Sequence, residues 1–215
     1  LRMHCDNVIP HARGLGSSSA AIVGGIALAR ALVAGGTLVL DDDAAFRLAA
    51  RLEGHPDNVA PAWYGGLVIS GRDDDWYAVP TGVDPRVDVV VFVPPEPMST
   101  ELARGLLPAT VPHADAATNA GRTALLVAAL ASAPEHLLAA TRDFLHQDYR
   151  RPAMPASLDL VDSLRADGVA AVVSGAGPSV LAFCAGCDAA ELACRAPAGW
   201  AADRLQVDRA GVRVE

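Results

Sequence analysis

Pro10-His11-Ala12-Arg13-Gly14-Leu15-Gly16-Ser17-Ser18-Ser19-Ala20-Ala21 is the stretch from which the rest of the 215-residue chain can be read. Two glycines stand just before an Ala-rich segment, and three hydroxyls fill its first turn. The start of a helix presents unpaired N–H groups and a partial positive charge, so an anion fits there. Gly14 and Gly16 let the backbone curl around a phosphate with no Cβ in the way. A hydroxyl at this point can also reach a phosphate-bound Mg2+. One serine at a helix start is usually a cap, but three in succession exceed what capping needs.

Downstream of this loop, Ser17 to Val33 reads as a helix. Ile22, Val23, Ile26, Leu28 and Leu32 cover so much of its surface that it is expected to be buried. Gly24 and Gly25 would let a neighbour pack closely. Asp41 to Asp43 cap a second helix carrying Phe46, Leu48 and Leu52, which ends near Glu53 and Gly54. Gly66 to Ser70 and Trp76 to Val79 read as a hairpin. Val87 to Val93, a β-branched run stopped by Pro94 and Pro95, reads as a buried strand. Helices are expected over Ser99 to Leu106, Thr118 to Ala131, Glu135 to Phe144 and Ser157 to Arg165. Strands are expected over Ala170 to Val173 and Val180 to Phe183, with two more in the tail around Gly211. Gly82 and Pro85 break the chain between Thr81 and Arg86, so the division falls into residues 1–83 and 84–215. The mixture is an α+β fold in two halves.

Composition narrows the function classes. The chain is 52% hydrophobic with a net charge of −8, which argues against disorder and against general affinity for nucleic acid or anionic lipid. No apolar run is long enough to span a bilayer, and no secretory signal is visible. All 17 basic residues are Arg, which removes Schiff-base lysine chemistry and the Walker-type lysine. Cys5, Cys184, Cys187 and Cys194 are too few for a disulfide scaffold. The C-x-x-C pair lacks enough neighbouring ligands for zinc, so it reads as small core residues in a reducing cytoplasm.

Four further clusters carry polar chemistry. Glu53-Gly54-His55-Pro56-Asp57-Asn58 offers oxygens for Mg2+ and groups that orient a hydroxyl; as a plain alternative it is a polar turn. In Ser99-Thr100-Glu101-Leu102-Ala103-Arg104, Thr100 and Arg104 lie one turn apart on one face and suit a carboxylate, or are a cap and a solvated arginine. His146-Gln147-Asp148-Tyr149-Arg150-Arg151 is either an exposed helix end or an anion site. Ser174-Gly175-Ala176-Gly177-Pro178-Ser179 follows a strand and reads as a tight loop with close backbone approach.

Together, P-x-x-x-G-L-G-S-S-S-A and the distant S-G-A-G-P-S resemble the second and third signatures of the GHMP superfamily, the galactokinase, homoserine kinase, mevalonate kinase and phosphomevalonate kinase group. The E-G-H-P-D-N-V-A-P-A, S-T-x-x-A-R and H-Q-x-Y-R stretches look like the homoserine kinases within it. The resemblance implies a two-domain architecture whose C-terminal part is a ferredoxin-like α/β sandwich. It also implies ATP-dependent phosphorylation of the L-homoserine hydroxyl, on the way to threonine. By that pattern Pro10, His11, Ala12, Arg13, Gly14, Leu15, Gly16, Ser17, Ser18, Ser19 and Ala20 form the ATP-binding segment. Ser18 and Glu53 hold Mg2+. His55, Asn58, Thr100, Arg104, Arg150 and Gly177 contact the acceptor, and Asn58, Glu53 and Ser18 are the catalytic set. Several relatives place an aspartate base where Asn58 falls here. An amide accepts no proton as a base, so the implied mechanism is positioning and charge stabilisation.

The superfamily's first motif, a P-A-(S/T)-x-N-L-G-x-G-F-D-like segment, is absent. The chain opens on Leu1, and an extended run through Val8 and Ile9 leads straight into the loop. A missing N-terminal part, an incomplete N-terminal domain and an inactive fragment are therefore the expectations. Alternatives are another kinase of the superfamily or a non-catalytic nucleotide-binding remnant. Family precedent implies a cytoplasmic homodimer.

Overall fold

A computed structural model describes residues 2–214, apart from the side chain of Thr100. Helix α1 spans Ser17–Leu32 and starts directly after Gly16, whose left-handed backbone (φ 73°) turns the loop into the helix. Helix α2, Asp42–Glu53, opens where the Asp41 carboxylate accepts the Ala44 N–H at 2.8 Å, and closes at left-handed Gly54. The short helix α3, Val59–Tyr64, runs into the antiparallel hairpin β1, Leu67–Arg72, and β2, Trp76–Thr81. Val23, Ala27, Phe46, Ala49, Val59 and Trp63 form the apolar centre of this half.

The second half follows the strand β3, Val87–Val93, with helices α4, Thr100–Gly105, α5, His113–Ala131, α6, Gln147–Arg150, and α7, Pro155–Ala166. Strands β4, Ala171–Val173, and β5, Val180–Ala185, lead to helix α8, Ala189–Ala193, and strand β6, Ala201–Leu205. The sheet order is β4-β5-β3-β6, with every neighbouring pair antiparallel. Numbered within this half, that is the 4-1-3-2 order of a βαββαβ ferredoxin-like sandwich. Val90, Phe92, Leu158, Leu164, Val180 and Ala182 form its core. A second cluster, with Val87, Leu130, Leu137 and Ala170, joins α5 to the rest.

Several expectations need correction. Helix α1 is not buried all round: only Ser19, Val23 and Ala27 are, while Leu28 and Leu32 are exposed. One face packs on α2 and α3, and a Cβ added to Gly24 or Gly25 would meet nothing within 4 Å among the described residues. The helix expected over Glu135 to Phe144 is a short helical run, Pro134–His136 and Leu137–Ala140. It stops because the Asp143 carboxylate captures the N–H groups of Leu145, His146 and Gln147 and starts α6 instead.

The tail is not a pair of strands. Strand β6 precedes it, and the remainder is a loop tied to the α3–β1 junction. Gly66 N–H donates to the Asp208 carbonyl at 2.7 Å, and Val212 N–H to the Trp63 carbonyl at 3.2 Å. Helices α3 and α8 have no counterpart in the sequence reading. Cys184 and Cys187 form a disulfide rather than remaining separate core thiols; their spacing brings the Cα atoms to 5.4 Å, within bridging range. Cys5 and Cys194 are free and exposed. Among the described residues, no helix is long and apolar enough to cross a membrane.

Candidate active site

The Gly-rich loop is held from both sides. Ser174 Oγ donates to the Gly14 carbonyl at 2.9 Å, and Ser179 N–H to the Arg13 carbonyl at 3.3 Å. A Cβ on Gly14 would stand 2.3 Å from the Ser174 carbonyl oxygen, at a backbone φ of +72°, so only glycine fits this contact. Two loops 160 residues apart are thereby pressed together at the α1 N-terminus. Their second anchor lies behind them, where Ser157 Oγ donates to the Pro178 carbonyl at 2.6 Å.

Glu53, the last residue of α2, faces the first turn of α1. Ser18 Oγ donates to Glu53 Oε2 and Ser19 Oγ to Oε1, both at 2.8 Å. The Glu53 side chain is only 10% exposed, and His55 Nε2 stands 4.0 Å from Oε1. Ser18 was paired with Glu53 in the sequence reading. The grip of fully buried Ser19 on the other oxygen was not, because nothing local distinguishes three adjacent serines. Their order around the helix axis does: Ser19 points into the core and Ser18 beside it.

A cleft runs from this point in two lobes. The smaller, about 160 Å³, is lined by residues 12–18 with Glu53, His55, Asp57 and Asn58. The larger, about 300 Å³, is lined by Asp143, His146, Gln147 and Arg150. Asp57, Arg104, Gly175 and Ala176 line both, so the two lobes adjoin. His55 and Asp57 are a pair at 2.6 Å, and the Asp57 carboxylate also accepts the Asn58 N–H. Asn58 packs against Gly16.

Two guanidiniums face the larger lobe. Arg104 is exposed on α4. Arg150 is 8% exposed and donates from Nε to the Ala103 carbonyl and from Nη1 to the Gly175 carbonyl. Burial pulls its pKa below the usual arginine range; Asp143 opposes that shift and Arg104 adds to it. Such a double arginine end suits a carboxylate ligand. The structure thus brings together residues 12–18, Glu53, His55, Asn58, Arg104 and Arg150. Pro10 and His11 flank the loop, with His11 Nδ1 3.2 Å from Ser17 Oγ. Ala20 lies in the first turn of α1. Gly177 stands behind Gly14, against Met154 and Val173, while Gly175 and Ala176 reach the cleft. The Thr100 side chain lies outside the described residues.

Asp143 lies outside the clusters read from sequence; Asp57, His146 and Gln147 belong to those clusters but carry no individual role there. For Asp143 a signal existed: an acid three residues before His146, the spacing of a helix-starting side chain. Burial alone would raise the Asp143 carboxyl. Hydrogen bonds from the His146 side chain and from the Gln147 and His146 N–H groups outweigh it and hold the pKa at about 2. A depressed carboxyl stabilises the fold above its ordinary pKa of 3.8 and loses that contribution as pH falls through about 2. The stability gap between wild type and Asp143→Asn is therefore expected to be full near about pH 5 and to close towards about pH 2. Urea midpoints of both proteins across that range check this; a constant gap contradicts it.

The family described as GHMP kinases N terminal domain matches residues 1–66, and GHMP kinases C terminal matches residues 125–200. The homoserine kinase of Streptomyces avermitilis is 54% identical over all of this chain, which covers 70% of that protein. The homoserine kinase of Streptomyces coelicolor is 52% identical with the same coverage. The crystal structure of homoserine kinase from Cytophaga hutchinsonii superposes with a TM-score of 0.85 at 25% identity, over 95% of this chain and 69% of that one. Mevalonate pyrophosphate decarboxylase from Streptococcus pyogenes, at 16% identity and a TM-score of 0.60, shares the fold alone.

Proposed function

Since this chain belongs to the homoserine kinase family of GHMP kinases, we propose that the cleft joins ATP to L-homoserine and passes the γ-phosphoryl group to the side-chain hydroxyl. The observation that carries the reading is that the two lobes adjoin, with Asp57, Arg104, Gly175 and Ala176 lining both. The loop and the α1 N-terminus take the phosphates in one lobe. Arg104 and Arg150 take the amino-acid carboxylate in the other. The acceptor hydroxyl then faces His55 and Asn58, beside the phosphates.

Asn58, an amide, positions the acceptor and takes no proton from it. Asn58, fixed against Gly16, orients the hydroxyl oxygen as it bonds to phosphorus and the bond to the leaving diphosphate breaks. The hydroxyl proton leaves to phosphate or solvent, which a loose phosphoryl-transfer transition state permits. Ser18 and Glu53 supply a hydroxyl and a carboxylate, the hard oxygen donors that Mg2+ takes alongside phosphate and water. When bound, that ion neutralises charge on the phosphates. The same reading assigns residues 1–83 to the nucleotide side and 84–215 to the acceptor side, and makes the enzyme a cytoplasmic homodimer by family precedent.

ADP release by the full-length protein, with L-homoserine, mevalonate and galactose offered separately, tests the substrate. Release with L-homoserine alone, and a product heavier by one phosphoryl group, is expected. Release with mevalonate or galactose but not L-homoserine would overturn the reading.

A further inference from the structure

Arg13 belongs to the nucleotide loop in sequence, yet its guanidinium is committed elsewhere. Nε donates to the Pro94 carbonyl at 2.9 Å, Nη1 to the His11 carbonyl at 3.2 Å, and Nη2 to the Pro95 carbonyl. One residue earlier, the Ala12 carbonyl accepts the Met98 N–H at 3.0 Å. The loop is thus fastened at two successive residues to the segment 94–98, which leaves β3 and leads into α4.

That segment reads Pro94-Pro95-Glu96-Pro97-Met98, and three prolines in five residues make it a stiff strut. Met98 is buried at its end, and Ser99 caps α4 by accepting the Leu102 N–H. Helix α4 carries Arg104, which lines both lobes, and Ala103, whose carbonyl receives Arg150 Nε. One path from the phosphate loop to the acceptor arginines therefore runs through the Arg13 fork and the Ala12–Met98 bond, the stiff strut and one short helix; Arg150 is also reached through Ser174 and Gly175, whereas Arg104 lies on the strut path.

We propose that Arg13 is a positioning residue that couples the two lobes, so that a filled phosphate loop sets the acceptor arginines for their carboxylate. This rests on the assignment of the lobes made above. Lysine is no substitute here, since a point charge on a flexible stem cannot span two adjacent carbonyls as the planar fork does.

Calorimetry on the full-length protein tests the coupling. The Kd for L-homoserine is measured alone and with the Mg2+ complex of the β,γ-imido analogue of ATP. Wild type is expected to bind L-homoserine about five- to twentyfold more tightly with the analogue present, within the usual range of site–site coupling. In Arg13→Ala the ratio is expected to fall to about one. Arg13→Lys should lose the ratio as well. Pro97→Gly, which slackens the strut from its far end and leaves the loop intact, should reduce it even if Arg13→Ala folds poorly.

A purely structural role would weaken both separate affinities and leave the ratio alone, which would overturn the proposal. So would a nucleotide affinity lost in Arg13→Ala and restored in Arg13→Lys, the mark of a charge on phosphate. Wild type that binds both ligands without synergy overturns the coupling but not the function. Wild type that binds no nucleotide overturns both.

Discussion

Glu53→Gln is expected to lower kcat with L-homoserine by about a hundred- to a thousandfold, the cost of removing one pre-placed electrostatic group from an active site. The side chain is nearly enclosed, and both its oxygens already accept serine hydroxyls at 2.8 Å. Glutamine has the same shape. Its amide can donate to one serine oxygen while its carbonyl accepts from the other, so the junction of α1 and α2 should hold and the melting temperature should barely move. The negative charge is what disappears, and with it the carboxylate proposed to share Mg2+ with Ser18. Turnover across a Mg2+ titration at saturating ATP, beside a thermal melt, checks both halves. Wild-type kcat at limiting Mg2+ would remove Glu53 from the metal site.

Arg104→Ala carries the second large effect. A charge-assisted contact to carboxylate is worth about 1.5–3 kcal/mol, so the L-homoserine KM should rise about ten- to a hundredfold, far more than the ATP KM. Arg104 is exposed and no hydrogen bond of the fold depends on it among the described residues, so stability should not change. Arg150 differs. Its nearly buried guanidinium bonds to the carbonyls of Ala103 and Gly175, and Arg150→Ala would leave those groups unpaired. Arg150→Ala should therefore raise the same KM and lower the melting temperature as well. Steady-state kinetics in each substrate, with melts of both variants, separates the two arginines. An equal rise in both KM values for Arg104→Ala would mean that it shapes the cleft without touching the acceptor.

The contrast between these arginines was not legible in the sequence, where each looked like a basic residue near a helix end. Arg150 became a structural as well as a binding group only when α4 and the 174–179 loop closed on it. Asp143 is similar: its spacing to His146 allowed a cap, but only the packed structure placed it in the same lobe as Arg150, where its charge opposes the effect of burial on that cation. The misjudged burial of α1 has a different origin. Side-chain hydrophobicity marks what a helix face would favour, whereas burial depends on what packs there, and Leu28 and Leu32 meet no neighbour that covers them among the described residues.

What the sequence by itself determined was local. Asp41 starts α2 and Gly54 ends it, the β-branched run from Val87 to Val93 is a strand stopped by prolines, and Gly14 and Gly16 shape a loop ahead of an Ala-rich helix. Each is signalled by backbone preferences of its own residues, although the strand's hydrogen-bond partners, β5 and β6, lie far along the chain. The order of its motifs also carried the family. Tertiary structure alone decided the contacts that build the site: Ser19 with Glu53, Ser174 with Gly14, Arg13 with Pro94 and Pro95, and the tail against Trp63 and Gly66. These join positions from 34 to 160 residues apart. Pairing at such distance depends on how strands order and which faces are buried, and a residue's own neighbours in the chain hold no record of either.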